Sequence, residues 1–293
     1  MRSHNRYPYS AIVDRKPYDW PNDTRLAVYL AVNVEAFPFG EGRGPELNPR
    51  QPEPDIPNFA WRDWGNRVGV WNLLELLDEY DVPCAALMNT AIYDVCPRVA
   101  EGFRERGDEV VGHGRTNAEW QADMDEAGEA VMIAEVTARI SAEEGVAPRG
   151  WMGPWINETN VTPDLIDEAG YEYVLDWAHD DQPVWMLTRG GRIMSIPYAR
   201  PTNDMPMMHG AKMAPAVWAD VLIDQFDEML ELSGARPLIF NLSLHPFLIG
   251  HAFRLRHLRR VIDHIDRHRD QIWLTRPGEI ADFARGLPDG FVP

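Results

Sequence analysis

The chain has 293 residues, 45% of them hydrophobic and 25% charged, with a formal net charge of -18. That length suits one large α/β domain or two small ones, and the composition is that of an ordinary globular protein. The acidity argues against nucleic acid and anionic membrane surfaces as partners. Cys84 and Cys96 form neither a metal pattern nor a C-x-x-C motif, and Cys84 falls in an apolar run, as a buried thiol in a reducing cytoplasm would. The first nineteen residues are polar and lack the apolar core of a signal peptide, and no stretch reaches the length of a membrane span. The expectation is a soluble, cytoplasmic protein that forms one domain over residues 1–293, with an irregular arm over 1–24 broken by Pro8, Pro17 and Pro21.

In chain order, Leu26 to Val34 is a continuous apolar, β-branched run, the pattern of a strand buried on both faces. It runs into Asn33-Val34-Glu35-Ala36-Phe37, so Glu35 stands at its carboxyl end. Residues 38–60 are crowded with proline and glycine and read as a long irregular connection, a feature that is usually functional. Asn66 to Tyr80 has Val70, Leu73, Leu74 and Leu77 at helical spacing. Val82 to Asn89 is a second strand, and Pro97 to Arg106 a short helix closed by Gly107. Glu109 to Val111 forms a third strand, followed by Gly112-His113-Gly114-Arg115-Thr116-Asn117. Met124 to Glu144 is a helix, and Arg149 to Trp155 (RGWMGPW) a glycine-broken aromatic segment. Thr162-Pro163 opens a helix that Gly170 closes. Tyr171 to Asp176 and Gly191 to Tyr198 are strands, and 199–213 is a loop rich in proline and methionine. A helix over Trp218 to Leu232 precedes the strand Leu238 to Leu244 and His245-Pro246. The basic helix Leu255 to His268, a short strand Gln271 to Leu274 and a helix Pro277 to Arg285 complete the chain.

Strands and helices alternate throughout, which predicts a mostly parallel sheet closed or nearly closed into a barrel. In such a sheet the carboxyl ends of the strands meet on one rim whatever their separation in sequence. Glu35, His113 and His245 each follow a strand, with Asp176 a fourth polar group of the same kind. A carboxylate and two imidazoles on one rim are the parts of a hydrolytic site. Glu35 either ligates a metal or acts as base, His113 is the metal-ligand candidate, and His245 the proton donor to a leaving nitrogen. Arg115 and Arg149 either grip a substrate oxygen or pair with surface acids, and Trp151 and Trp155 either wall a pocket or pack in the core.

At these residues the chain resembles the polysaccharide deacetylase (NodB-homology) superfamily along nearly its whole length. The matching segments are Asn33-x-Glu35, His113-x-x-x-Asn117, Arg149 to Trp155, Asp176-Trp177, and Leu242 to His245. The resemblance implies a distorted (β/α) barrel and a zinc ion or other divalent metal. It makes Glu35, His113 and Asn117 the metal ligands, Glu35 and His245 the catalytic pair, and Arg115, Arg149, Trp151, Trp155 and Asp176 the substrate-binding residues. Asn33 and Asn117 stand where the superfamily usually has a carboxylate base and a second histidine, and an amide oxygen is a weak zinc ligand, so metal-independent hydrolysis is a second possibility. Those two positions, with NVEAF, GHGRTN, RGWMGPW, DWAHDDQP and HPFLIGHAFR, are similar to the branch holding cyclic imide hydrolases and allantoinase-like amidases. That branch implies a cytoplasmic homotetramer opening C–N bonds of small cyclic amides. The alternatives are a deacetylase of N-acetyl sugars and an inactive ligand-binding barrel.

Overall fold

The computed structural model describes residues 4–49 and 51–293; the first three residues of the arm fall outside it. Its sheet is built from β1 (Leu26–Val34), β2 (Cys84–Met88), β3 (Glu109–Gly112), β4 (Gly150–Trp151), β5 (Tyr173–Val174), β6 (Val184–Leu187), β7 (Arg192–Ser195), β8 (Leu238–Leu244) and β9 (Ile272–Thr275). The order is β6-β7-β5-β4-β3-β2-β1-β8, with β9 against the start of β1. It is a curled half-barrel, and every pairing is parallel except β6 with β7. The antiparallel β6 was not expected from the sequence, where its residues follow a polar, proline-containing segment.

β1 is central. Leu30 lies opposite Cys84 on one side, and Leu26 opposite Leu238 on the other. Its nine residues are all buried, and period-two alternation sorts them. Leu26, Val28, Leu30, Val32 and Val34 face the helices. Ala27, Tyr29 and Ala31 point into the curl, with Leu87, Val111, Met152, Tyr173 and Ile196. The same parity carries Asn33 and then Glu35 to the inner side at the carboxyl rim. Each buried aliphatic side chain in these two layers is worth about 1.5–3 kcal/mol.

The outer layer is α1 (Ile56–Trp64), α2 (Val70–Glu79), α3 (Ile92–Val95), α4 (Pro97–Arg106), α5 (Glu126–Glu144), α6 (Thr162–Glu168), α7 (Pro215–Ser233), α8 (Pro246–Ile249), α9 (Ala252–Asp266) and α10 (Pro277–Arg285). Helical spacing decides what each buries: Leu73, Leu74 and Leu77 on α2, and Leu258, Val261, Ile262 and Ile265 on α9. The proline-rich stretch over 38–60 is not irregular to its end, because α1 begins inside it. Asp55 caps that helix through the Asn58 N–H at 3.3 Å, and Pro57 sits in its first turn, where a missing N–H costs nothing. The basic run on α9 is tied to neighbouring acids, Arg259 to Glu79 and Arg260 to Asp220. Among the described residues no helix is long and apolar enough to cross a membrane.

Candidate active site

A cavity of about 150 Å³ opens on the carboxyl rim, lined by Asn33, Glu35, His113, Asn117, Tyr198 and His245 at its polar side. Pro45, Met152, Trp155, Ile156, Arg200, Asn203, Met205 and Pro206 complete its wall. Five strand ends contribute, which is the reason residues scattered over two hundred positions meet here.

Glu35 is 6% exposed and is the hub. Its Oε1 lies 3.7 Å from His113 Nε2, 3.7 Å from His245 Nε2, and 2.5 Å from Asn117 Nδ2. His113 is held by the Met152 carbonyl, 2.7 Å from Nδ1, so the ring proton sits on Nδ1. Nε2 is buried and has no hydrogen-bond partner. Gly114 beyond it adopts φ +68°, and a Cβ there would come within 2.7 Å of Pro154 Cγ, so only glycine lets the loop close over the site.

His245 is oriented differently. Asp204, fully buried, accepts from its Nδ1 at 2.6 Å and from its backbone N–H at 2.8 Å. Burial alone would lower the His245 pKa, but the Asp204 and Glu35 carboxylates outweigh it and the net shift is upward. The imidazolium form, with an Nε2 proton available to the cavity, is therefore favoured. Asp204 lies in the proline- and methionine-rich loop, whose lack of periodicity gave no sequence signal for it. Stability contributed by this imidazolium is fully present below the unfolded value of about 6.5 and is lost as pH rises through the raised folded value. Asp204→Asn removes one source of the rise, so the proton leaves at lower pH. The alkaline limb of a kcat–pH profile is expected to move to lower pH, and a limb that stays in place contradicts the assignment.

Asn117 is near the hub but not turned as a metal ligand. Asn89 Nδ2 donates to its Oδ1 at 3.2 Å, which directs its own Nδ2 to Glu35. Its role is to hold the carboxylate. Trp155 does wall the cavity, with Nε1 donating to the Asn117 carbonyl at 2.8 Å. Its backbone at φ +65°, followed by Ile156 at +54°, is left-handed and strained for non-glycine residues, a conformation common at binding sites.

Four expected binding residues lie elsewhere. Trp151 is inside β4, where alternation turns it outward against Tyr171, with ring centroids 5.5 Å apart, and turns Met152 inward instead. Arg149 precedes β4 and therefore sits on the opposite rim, paired with Glu172 and Asp282. Arg115 points away and pairs with Glu119 at 3.0 Å and Glu135 at 2.7 Å. Asp176 lies beneath the loop, its Oδ1 accepting the Gly153 N–H at 2.8 Å. Burial first, then the Glu158 charge, pushes its pKa well up, and it supports the loop without lining the cavity. Arg149→Lys is accordingly expected to leave kcat/KM within about twofold of wild type while lowering thermal stability slightly, the usual worth of a partly exposed ion pair; a tenfold kinetic loss contradicts the placement.

A His/Asp group able to hold a metal is present as Asp227, His264 and His268, whose ligand atoms lie within 4.8 Å of one another. It sits on the outer surface, between α7 and the end of α9, and lines no part of the cavity.

No protein-family model matches the chain. A peptidoglycan deacetylase of Helicobacter pylori is 24% identical over 252 residues, 75% of this chain and 84% of the relative. A protein of Schizosaccharomyces pombe named as a polysaccharide deacetylase is 24% identical, with 92% of each chain covered. Among solved structures, a Pseudomonas aeruginosa protein named as a polysaccharide deacetylase superposes with a TM-score of 0.82 at 26% identity, over 96% of this chain and 99% of its own. The PuuE allantoinase superposes with a TM-score of 0.81 at 28% identity, over 94% and 96%. These neighbours point to the polysaccharide and peptidoglycan deacetylase superfamily of NodB type, with an allantoinase-like neighbour beside it, and the half-barrel is that superfamily's distorted (β/α) barrel. The expectation of a cyclic-amide hydrolase is corrected by them. Both curated relatives are named as deacetylases of polymers, and the PuuE allantoinase alone does not outweigh them. Asn33 and Asn117, which suggested the narrower branch, donate hydrogen bonds to Tyr198 and to Glu35.

Proposed function

We propose that the chain is a hydrolase that removes N-acetyl groups from sugars of a polysaccharide or peptidoglycan. The observation that carries this reading is Glu35 Oε1 set 3.7 Å from each of two imidazoles, one with a buried, unpartnered Nε2 and the other held by Asp204, with its pKa shifted upward. Amide hydrolysis needs those three parts. Glu35 takes a proton from the attacking water, whose oxygen bonds to the acetyl carbon. As the tetrahedral intermediate collapses, the C–N bond breaks and His245 Nε2 gives its proton to the departing nitrogen. Acetic acid and a free amine leave, the acid ionising in solvent, and exchange with solvent removes the proton from Glu35 and returns one to His245. Trp155 and Ile156 offer an apolar flank to a sugar ring.

The superfamily implies a divalent metal, zinc by its usual habit, and two residues fit one. His113 has an unpartnered buried Nε2 and a carbonyl-anchored Nδ1, the arrangement typical of a ligating histidine, and Glu35 stands beside it. Asn117 does not fit, since its oxygen is turned to Asn89. Bound there, an ion would polarise the acetyl carbonyl and acidify water. The test is release of acetate from N-acetylglucosamine oligomers and from peptidoglycan: release from either is expected, and none from both defeats the proposal.

A further inference from the structure

Tyr198 follows β7 and is 1% exposed, yet it lines the cavity with Glu35, His113 and His245. Two side-chain amides donate to its phenolic oxygen, Asn33 Nδ2 at 3.0 Å and Asn203 Nδ2 at 3.2 Å. Neither amide is free to turn. Asn33 Nδ2 also donates to the Leu244 carbonyl at 3.1 Å, and Asn203 Oδ1 accepts the Met205 N–H at 2.9 Å. The phenol's accepting capacity is thus taken, and its O–H remains. In the resting site the O–H has two neutral acceptors: Asn33 Oδ1, to which it donates at a long 3.4 Å, and Ser243, whose own proton goes to Asn241 at 2.6 Å. Neither matches an oxyanion as an acceptor. Two N–H groups directed at the phenol oxygen also polarise the O–H and strengthen it as a donor.

We propose that the Tyr198 O–H is the donor that stabilises the negative charge developing on the acetyl carbonyl oxygen, and that Asn33 and Asn203 are positioning residues for it. The proposal rests on the deacetylase reading. It accounts for an amide at position 33, where the resemblance expects a carboxylate. An anion there would hold the phenol proton as a strong acceptor, whereas the Asn33 amide donates to the phenol at 3.0 Å and offers its proton only a long neutral contact at 3.4 Å. Burial raises the phenol's pKa and keeps it protonated.

The experiment is Tyr198→Phe, which keeps the ring and deletes the donor. Acetate release should fall about 100- to 1,000-fold in kcat with KM little changed, the usual effect of losing one oxyanion donor. A phosphonamidate analogue of the tetrahedral intermediate should lose most of its affinity for the variant, while the N-acetyl substrate does not. Asn33→Ala added to Tyr198→Phe should cost almost nothing further in kcat, since it acts through the phenol. If Tyr198→Phe fails to fold, 3-fluorotyrosine at 198 replaces it, and a kcat unchanged by the altered O–H acidity overturns the proposal. Wild-type kcat and analogue affinity in Tyr198→Phe overturn it too, leaving the deacetylase reading standing. No acetate from the wild-type protein removes both.

Discussion

Glu35→Gln is expected to lower kcat for acetate release by roughly three orders of magnitude, within the range lost when a general base is removed. Glutamine is nearly isosteric, and its amide oxygen can still accept the Asn117 N–H that Glu35 accepts now. The Asn66 bond goes to the Glu35 backbone carbonyl at 2.8 Å and is untouched by the change. The fold should therefore survive with a melting temperature near that of wild type, and the loss should fall on kcat, because glutamine cannot take a proton from water. Full activity in a folded Glu35→Gln protein would move the base elsewhere. No other carboxylate among the described residues lines the cavity, so the mechanism would have to be rebuilt.

His245→Ala should lower kcat by about two to four orders of magnitude, with a cost in stability as well. Asp204 is fully buried, so removing the ring leaves its carboxylate with the residue-245 backbone N–H and no imidazole, at up to about 3–5 kcal/mol. A drop in activity alone would not separate catalysis from unfolding. The double variant His245→Ala with Asp204→Asn does, because it discharges the stranded carboxylate. It should regain most of the melting temperature and none of the activity. Activity returning with stability would make His245 a structural residue.

Much of this rim could be read from sequence because β1 and β8 are long apolar runs and β3 a short strand-like one, and a polar residue straight after such a run lies at its end. Glu35, His113 and His245 were found on that logic. Tyr198 carried the same signal and was passed over as the last residue of its strand. Arg149 and Trp151 were misplaced for a geometric reason: a two-residue strand has no visible alternation, so nothing in RGWMGPW shows which residue enters the sheet. Arg149 falls before the strand, on the far rim, and Trp151 on its outer face. Asp204 was invisible because its loop has no period and its partner is 41 positions away. The substrate was misjudged because substitution at Asn33 and Asn117 says which chemistry is altered, but not what lies in the cavity.

The most direct measurement of the central claim is acetate released from N-acetylated glycan by wild-type protein and by Glu35→Gln at equal folded concentration. The account predicts steady release by the wild-type protein and a residue of about a thousandth from the variant. Equal release from both, or none from the wild type, would contradict it.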